Sequence, residues 1–164
     1  MTDRAFEAAT GDGPAPPAEE EAARRRAAEV RVAFEGLLQI RRLTGGAGSG
    51  GDPEAVPAPW ERNRPVRAVA LALEAAGLAP SGVDAEGRRV ANGYRVAAGE
   101  APGTVRVEWL GPPGGGAAQE EESALGACVR ALAPLGWEAL LYRGPRGRRH
   151  LEVEPLPPPA RGGR

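Results

Sequence analysis

Residues 19–43, EEEAARRRAAEVRVAFEGLLQIRRL, carry apolar side chains at Ala23, Ala27, Val30, Phe34 and Leu37, at spacings of four and three, with Leu38 beside them. That period predicts an amphipathic helix. Glutamates open the stretch, Arg41 and Arg42 close it, and both placements suit the helix dipole. Glu20 with Arg24, Glu21 with Arg25, and Arg31 with Glu35 stand four apart on one face. The first half of the stripe is alanine, so the helix is marginal alone in water and needs a surface to pack on. Either the domain that follows or a second molecule could supply it. Val30, Phe34, Leu37 and Leu38 are therefore candidate protein-binding residues, for self-association or for a partner's groove.

Residues 44–62 read as a Gly/Pro linker, flexible at first and stiffened by Pro53, Pro57 and Pro59. Its length sets the first helix apart as a tethered element. Trp60, among polar neighbours, either folds over the edge of the core or joins the binding set as an exposed aromatic. A folded unit is expected over 63–156. Asn63 caps its first helix and Pro65 suits the first turn; Val66, Val69, Ala70, Leu73 and Ala76 form the stripe, and Gly77 ends it. Two alternating hairpins follow, YRVAA with TVRVEWL and WEALLYR with RRHLEVEPL. Between them lies a helix with Leu125, Cys128, Val129 and Leu132 inward. Residues 82–93 are ambiguous. Asn92-Gly93 between RRVA and YRVA reads as a tight hairpin turn, whereas Ser81 with Asp84 opens a short helix that Gly93 closes. The helical reading is favoured because helix, Gly93-Tyr94 and TVRVEW parallel helix, Gly136-Trp137 and RHLEVEP.

The fold class is α+β: a small two-layer domain with a four-stranded, mainly antiparallel sheet of two hairpins packed by helices, preceded by a tethered amphipathic helix. Composition adds disordered ends. Gly 24 and Pro 17 make a quarter of the 164 residues, and Leu, Ile, Val and Phe together only 29, so residues 1–18 are expected to be a disordered leader and 157–164 a disordered tail. All 21 basic residues are arginine, a compositional bias that weakens any one arginine cluster as a functional sign.

A net charge of -1 argues against a nucleic-acid or membrane-surface protein acting through its overall field. One cysteine excludes an internal disulfide and one histidine a histidine metal cage; with no apolar run long enough for a signal or a membrane span, the expected location is cytoplasmic. GPPGGGAAQEEE lacks the lysine of a phosphate loop and crowds carboxylates where an anion would sit. Cys128 lies on an apolar stripe, away from any activating group. His150 faces outward with Glu152 and Glu154, without a second polar constellation. GVDAEG has too few oxygen ligands for calcium. No catalytic residues, cofactor or metal are expected, and the chain reads as a non-enzymatic protein-interaction or regulatory protein with an unidentified partner, or one that self-associates through residues 19–43. The alternative is a nucleic-acid-binding accessory protein, with Arg143, Arg146, Arg148 and Arg149 at a hairpin tip meeting phosphates.

Overall fold

The computed structural model describes residues 5–45 and 51–157. Residues 46–50 of the expected linker, the first four residues of the expected leader and the tail from residue 158 lie outside the described residues. In chain order the elements are α1 (Glu20–Thr44), α2 (Pro59–Asn63), α3 (Pro65–Ala75), β1 (Gly82–Val83), β2 (Arg89–Ala91), β3 (Gly93–Ala98), β4 (Val105–Leu110), α4 (Ala117–Leu132), β5 (Trp137–Arg143) and β6 (Arg149–Pro155).

The two expected hairpins form and join through their second strands into one antiparallel sheet of order β3-β4-β6-β5. Tyr94, Val96, Val105, Val107, Trp109, Leu151 and Val153 point inward and are buried, as alternation requires. α3 and α4 cover this face, contributing Val69, Leu73, Leu125, Cys128 and Leu132. The opposite face is laced by cross-strand ion pairs, Arg95 with Glu108 and Arg106 with Glu152, each at 3.0 Å. Charges of opposite sign at directly opposed positions suit a solvated face.

α3 is buried from Ala68 through Leu73 without a break, because both of its sides are covered. The sheet takes one side and α1 the other, where Val30 and Leu37 pack on Leu71. The amphipathic helix predicted from the sequence is thus present and docked on its own chain. Two arginines fix it. Arg26 forks onto Glu74 with two hydrogen bonds of 2.8 Å, and Arg41, near the other end, forks onto Glu61 at 2.8 and 2.6 Å. The latter pair is almost wholly buried, at 1% and 0% exposure.

The second part of the expected linker, residues 53–62, folds instead. Asp52 caps a 3-10 turn over Pro53–Ala55 by accepting from the Glu54 N–H at 2.9 Å, and α2 follows at once. Glu61 reaches back to the Ala58 N–H at 2.9 Å, half of a capping box. Asn63 ends α2 rather than capping α3, whose N-cap is Arg64 with Pro65 at the first position.

Residues 82–93 follow neither sequence reading. β1 and β2 form a small hairpin whose turn is built by Asp84, which accepts from the N–H groups of Glu86 and Arg88 at 2.9 Å, and by Gly87 at φ 81°. The helical reading fails because an Asx turn closes these residues locally. Asn92-Gly93 is not a turn either: it passes the chain from β2 into β3, and the Asn92 amide instead donates to Gly115 O at 2.6 Å.

From residue 5 on, the expected disordered leader is an ordered strap. It runs beside β3, where Thr10 O accepts from the Val96 N–H at 2.7 Å and Ala9 O from the Tyr94 hydroxyl at 2.9 Å. Gly13 O accepts from the Val83 N–H at 2.9 Å. Asp12 meets both Arg89 and Arg95. Gly11, at φ 95°, lies so near the Tyr94 carbonyl that a Cβ there would collide with it. Low apolar content does not leave these residues free because their main-chain groups complete the edge of a sheet.

Candidate interaction surfaces

The residues expected to bind a partner through α1 are divided by its docking. Val30 and Leu37 are buried against Leu71 and are occupied within the chain. Phe34 and Leu38 are half-buried at the same contact, as is Trp60, whose indole N–H has no hydrogen-bond partner among the described residues. Ala23 and Ala27 are exposed. The apolar groups that α1 presents outward are Val32, Ile40 and Leu43, on a different flank from the predicted stripe.

The four arginines of the hairpin tip also divide. Arg148 donates from Nε to Glu121 at 3.3 Å, and Arg149 lies 3.5 Å from Glu122 while its N–H donates to Glu121 at 2.9 Å. Glu121 is buried just past the first turn of α4. The carboxylates that open this helix therefore hold the last hairpin in place. Arg143 and Arg146 are exposed and have no carboxylate partner among the described residues. Arg146 occupies the left-handed region, at φ 66°, in the turn itself.

The groups considered for chemistry are structural or solvated. His150 stacks on Tyr142 with ring centroids 5.8 Å apart and reaches Glu152 at 3.3 Å, beside Arg106, in a shallow hollow of about 480 Å³ on the open sheet face. Arg106 donates to the same carboxylate oxygen from Nε at 3.1 Å and Nη2 at 3.0 Å. Cys128 is fully buried, and burial pushes its thiol up to about 12. The native protein should therefore resist thiol reagents at pH 8 and react only once unfolded, a contrast that a labelling time course with and without denaturant will reveal. Rapid labelling of the folded chain would contradict this. Among the described residues no group of three or more His, Cys, Asp or Glu is placed to hold a metal, and no helix is long and apolar enough to cross a membrane.

The two edges of the sheet differ sharply. β3 is covered: residues 79–81 exchange main-chain hydrogen bonds with Tyr94 at 2.9 and 3.0 Å, and the strap takes Val96. β5 is bare. The ladder bonds of the hairpin fall on even-numbered β5 residues, as the contacts of Gly144 with Arg148 and of Leu156 with Gly136 show, so the N–H and C=O groups of Ala139, Leu141 and Arg143 point away from the sheet. No described residue hydrogen-bonds to them. Along this edge Leu140, Leu141 and Tyr142 are 46%, 54% and 47% exposed. Leu140 and Tyr142 lie on the open face and Leu141 on the helix face, so both sides of the bare edge are apolar. Sequence alternation identified the strand but not its place at an edge, which depends on pairing order.

No protein-family model, no curated protein and no solved structure matches the chain, and the surfaces just described carry its functional reading.

Proposed function

We propose that the chain is a non-enzymatic interaction or regulatory protein of the cytoplasm that engages other polypeptides by strand addition along β5. The observation that supports this reading is the contrast between the two sheet edges. Proteins ordinarily blunt an edge with charge, proline, a bulge or a cover. Here the strap and residues 79–81 cover β3, while β5 carries seven residues of ladder with an apolar side chain on each face. Main-chain hydrogen bonds supply affinity in this mode and alternate side chains supply selectivity.

The nucleic-acid reading keeps one favourable observation, the free guanidinium groups of Arg143 and Arg146 at the hairpin tip. It loses Arg148 and Arg149 to the carboxylates of α4. A pull-down with the tagged chain from host lysate, with and without nuclease, separates the two. Strand addition predicts retained proteins that survive nuclease, change little between about 50 and 200 mM salt, and disappear with Leu141→Pro. That substitution removes an outward N–H and no ladder bond to β6. Retention that collapses with nuclease or falls steeply with salt would instead favour the phosphate-binding tip.

A further inference from the structure

We infer that the occupant of the bare β5 edge is the β5 strand of a second copy of this chain, paired antiparallel about a two-fold axis at Leu141. This deepens the strand-addition reading and rests on it. The outward-facing main-chain groups are those of Ala139, Leu141 and Arg143, and Leu141 is their midpoint. A two-fold there sets Leu141 against its own copy on the helix face and Leu140 against the copy's Tyr142 on the open face. Both are apolar cross-strand pairs of the kind that stabilise sheets. The hydrogen bonding also fits. Ala139, Leu141 and Arg143 are the residues whose main-chain groups face outward, and this register opposes Ala139 to the copy's Arg143 and Leu141 to itself, so donors meet acceptors along the whole edge.

Charge supplies an independent reason for a copy in this orientation. Within the hairpin, Glu138 lies directly across from Glu154 at the open end, and Arg143 directly across from Arg149 near the tip. Like charges so placed repel. Glu138, Glu154, Arg143 and Arg146 have no ion-pair partner among the described residues, although many other charged side chains of the sheet are paired. An antiparallel copy lays the acidic end of each hairpin against the basic tip of the other. Glu138 then sits opposite the copy's Gly144, next to Pro145 and Arg146, twice per dimer. A parallel neighbour would set acid beside acid and base beside base. Closure by a two-fold also consumes the β5 edge of both copies and leaves the β3 strands outermost, where residues 79–81 and the strap cover Tyr94 and the Val96 N–H.

About five residues a side cover less than the roughly 1,600 Å² of a standard interface, so the expected dissociation constant lies on the order of 10–100 µM. Sedimentation equilibrium of the full chain from about 1 µM to 1 mM at low ionic strength spans that range. The expected result is a reversible monomer–dimer equilibrium that Leu141→Pro abolishes. Because that variant could unfold β5, a charge exchange keeps the question open to a clean answer. Glu138→Arg and Arg146→Glu should each weaken the dimer by about 3- to 10-fold, and the double variant should restore it to within about 2-fold. A wild-type chain that stays monomeric at 1 mM overturns the inference, as does a dimer indifferent to Leu141→Pro and to the charge exchange. If the monomeric chain still retains other proteins in the pull-down, and loses them with Leu141→Pro, strand addition stands and only self-pairing falls. A monomer that retains none removes both.

Discussion

Arg41→Ala is expected to lower stability by about 3–5 kcal/mol, which for a chain of this size is a fall in melting temperature of roughly 10 °C. Arg41 is the hub at the end of α1. Its Nε and Nη2 take both oxygens of Glu61, and its Nη1 donates to Glu54 O at 2.6 Å and Leu135 O at 2.7 Å. One side chain thereby joins α1, the 3-10 turn over Pro53–Ala55, α2 and the turn that leads into β5. Truncation would leave Glu61 charged, buried and held only by the Ala58 N–H, together with two carbonyls lacking their donor. Arg41→Lys should recover only part of the loss, since an ammonium is a point charge that cannot span four acceptors arranged in a fork. Replacing both partners, Arg41→Met with Glu61→Leu, should cost less than Arg41→Ala alone, because no unpaired charge remains. Thermal denaturation followed by circular dichroism measures all three. A single truncation that melts within about 2 °C of wild type would show that the pair contributes little.

Arg41 also marks where sequence reasoning stopped. Its spacing from Val30, Phe34 and Leu37 continues the apolar stripe by four, so the register pointed inward. A charge at a stripe position reads as solvated unless a buried partner is known, and Glu61 lies beyond a glycine-rich stretch with no periodic relation to it. Arg26 and Glu74 repeat the situation 48 residues apart. The local features were legible: both hairpins, α4 and its inward residues, and the four-stranded antiparallel sheet follow from alternation and helical period alone. One long-range feature also left a signal. Ala68, Leu71, Ala72 and Ala75 continue around α3 from the predicted stripe, and a helix that is apolar all round has cover on both sides. That second cover is α1. The strap left little signal, because its hold combines main-chain hydrogen bonds, which any residue can make, Asp12, whose partners are some 80 residues away, and only two apolar contacts, Phe6 and Ala8, with no periodic pattern. The bare β5 edge was hidden for a related reason: which strand ends at an edge is decided by pairing order, and the hairpin pattern permits more than one.

If α1 and the strap are integral to the fold, a chain begun at residue 64 should lose its cooperative thermal transition while the full chain keeps one. The cut strips Val30 and Leu37 from Leu71, burial worth on the order of 1.5–3 kcal/mol per large side chain. It leaves Glu74, close to the core, without Arg26, and the Leu135 carbonyl without Arg41. It also unpairs the Val96 N–H and removes the Ala9 carbonyl from the Tyr94 hydroxyl. These losses are of the same order as the whole stability of a small domain, about 5–15 kcal/mol. A chain begun at residue 19 separates the two contributions. It keeps α1 and both forked ion pairs but sheds the strap, so it should still melt cooperatively, only lower, by the value of a few hydrogen bonds at about 0.5–1.5 kcal/mol each together with the Asp12 contacts and the packing of Phe6 and Ala8. Asp12 sits below the usual carboxylate range, since hydrogen bonds and charge from Arg89 and Arg95 outweigh the opposing effect of burial, the largest single influence. Its contribution is thus present at neutral pH and fades only as the pH falls below about 4, so the gap between the full chain and the chain begun at 19 should narrow in acid. Shedding the strap also frees the Val96 N–H while residues 79–81 still cover Tyr94, so the β3 edge opens in part and the shortened chain should associate beyond closed dimers more readily than the full chain. Differential scanning calorimetry and light scattering report the two effects separately. A chain begun at 64 that melts cooperatively near the full-length temperature would place α1 outside the core after all.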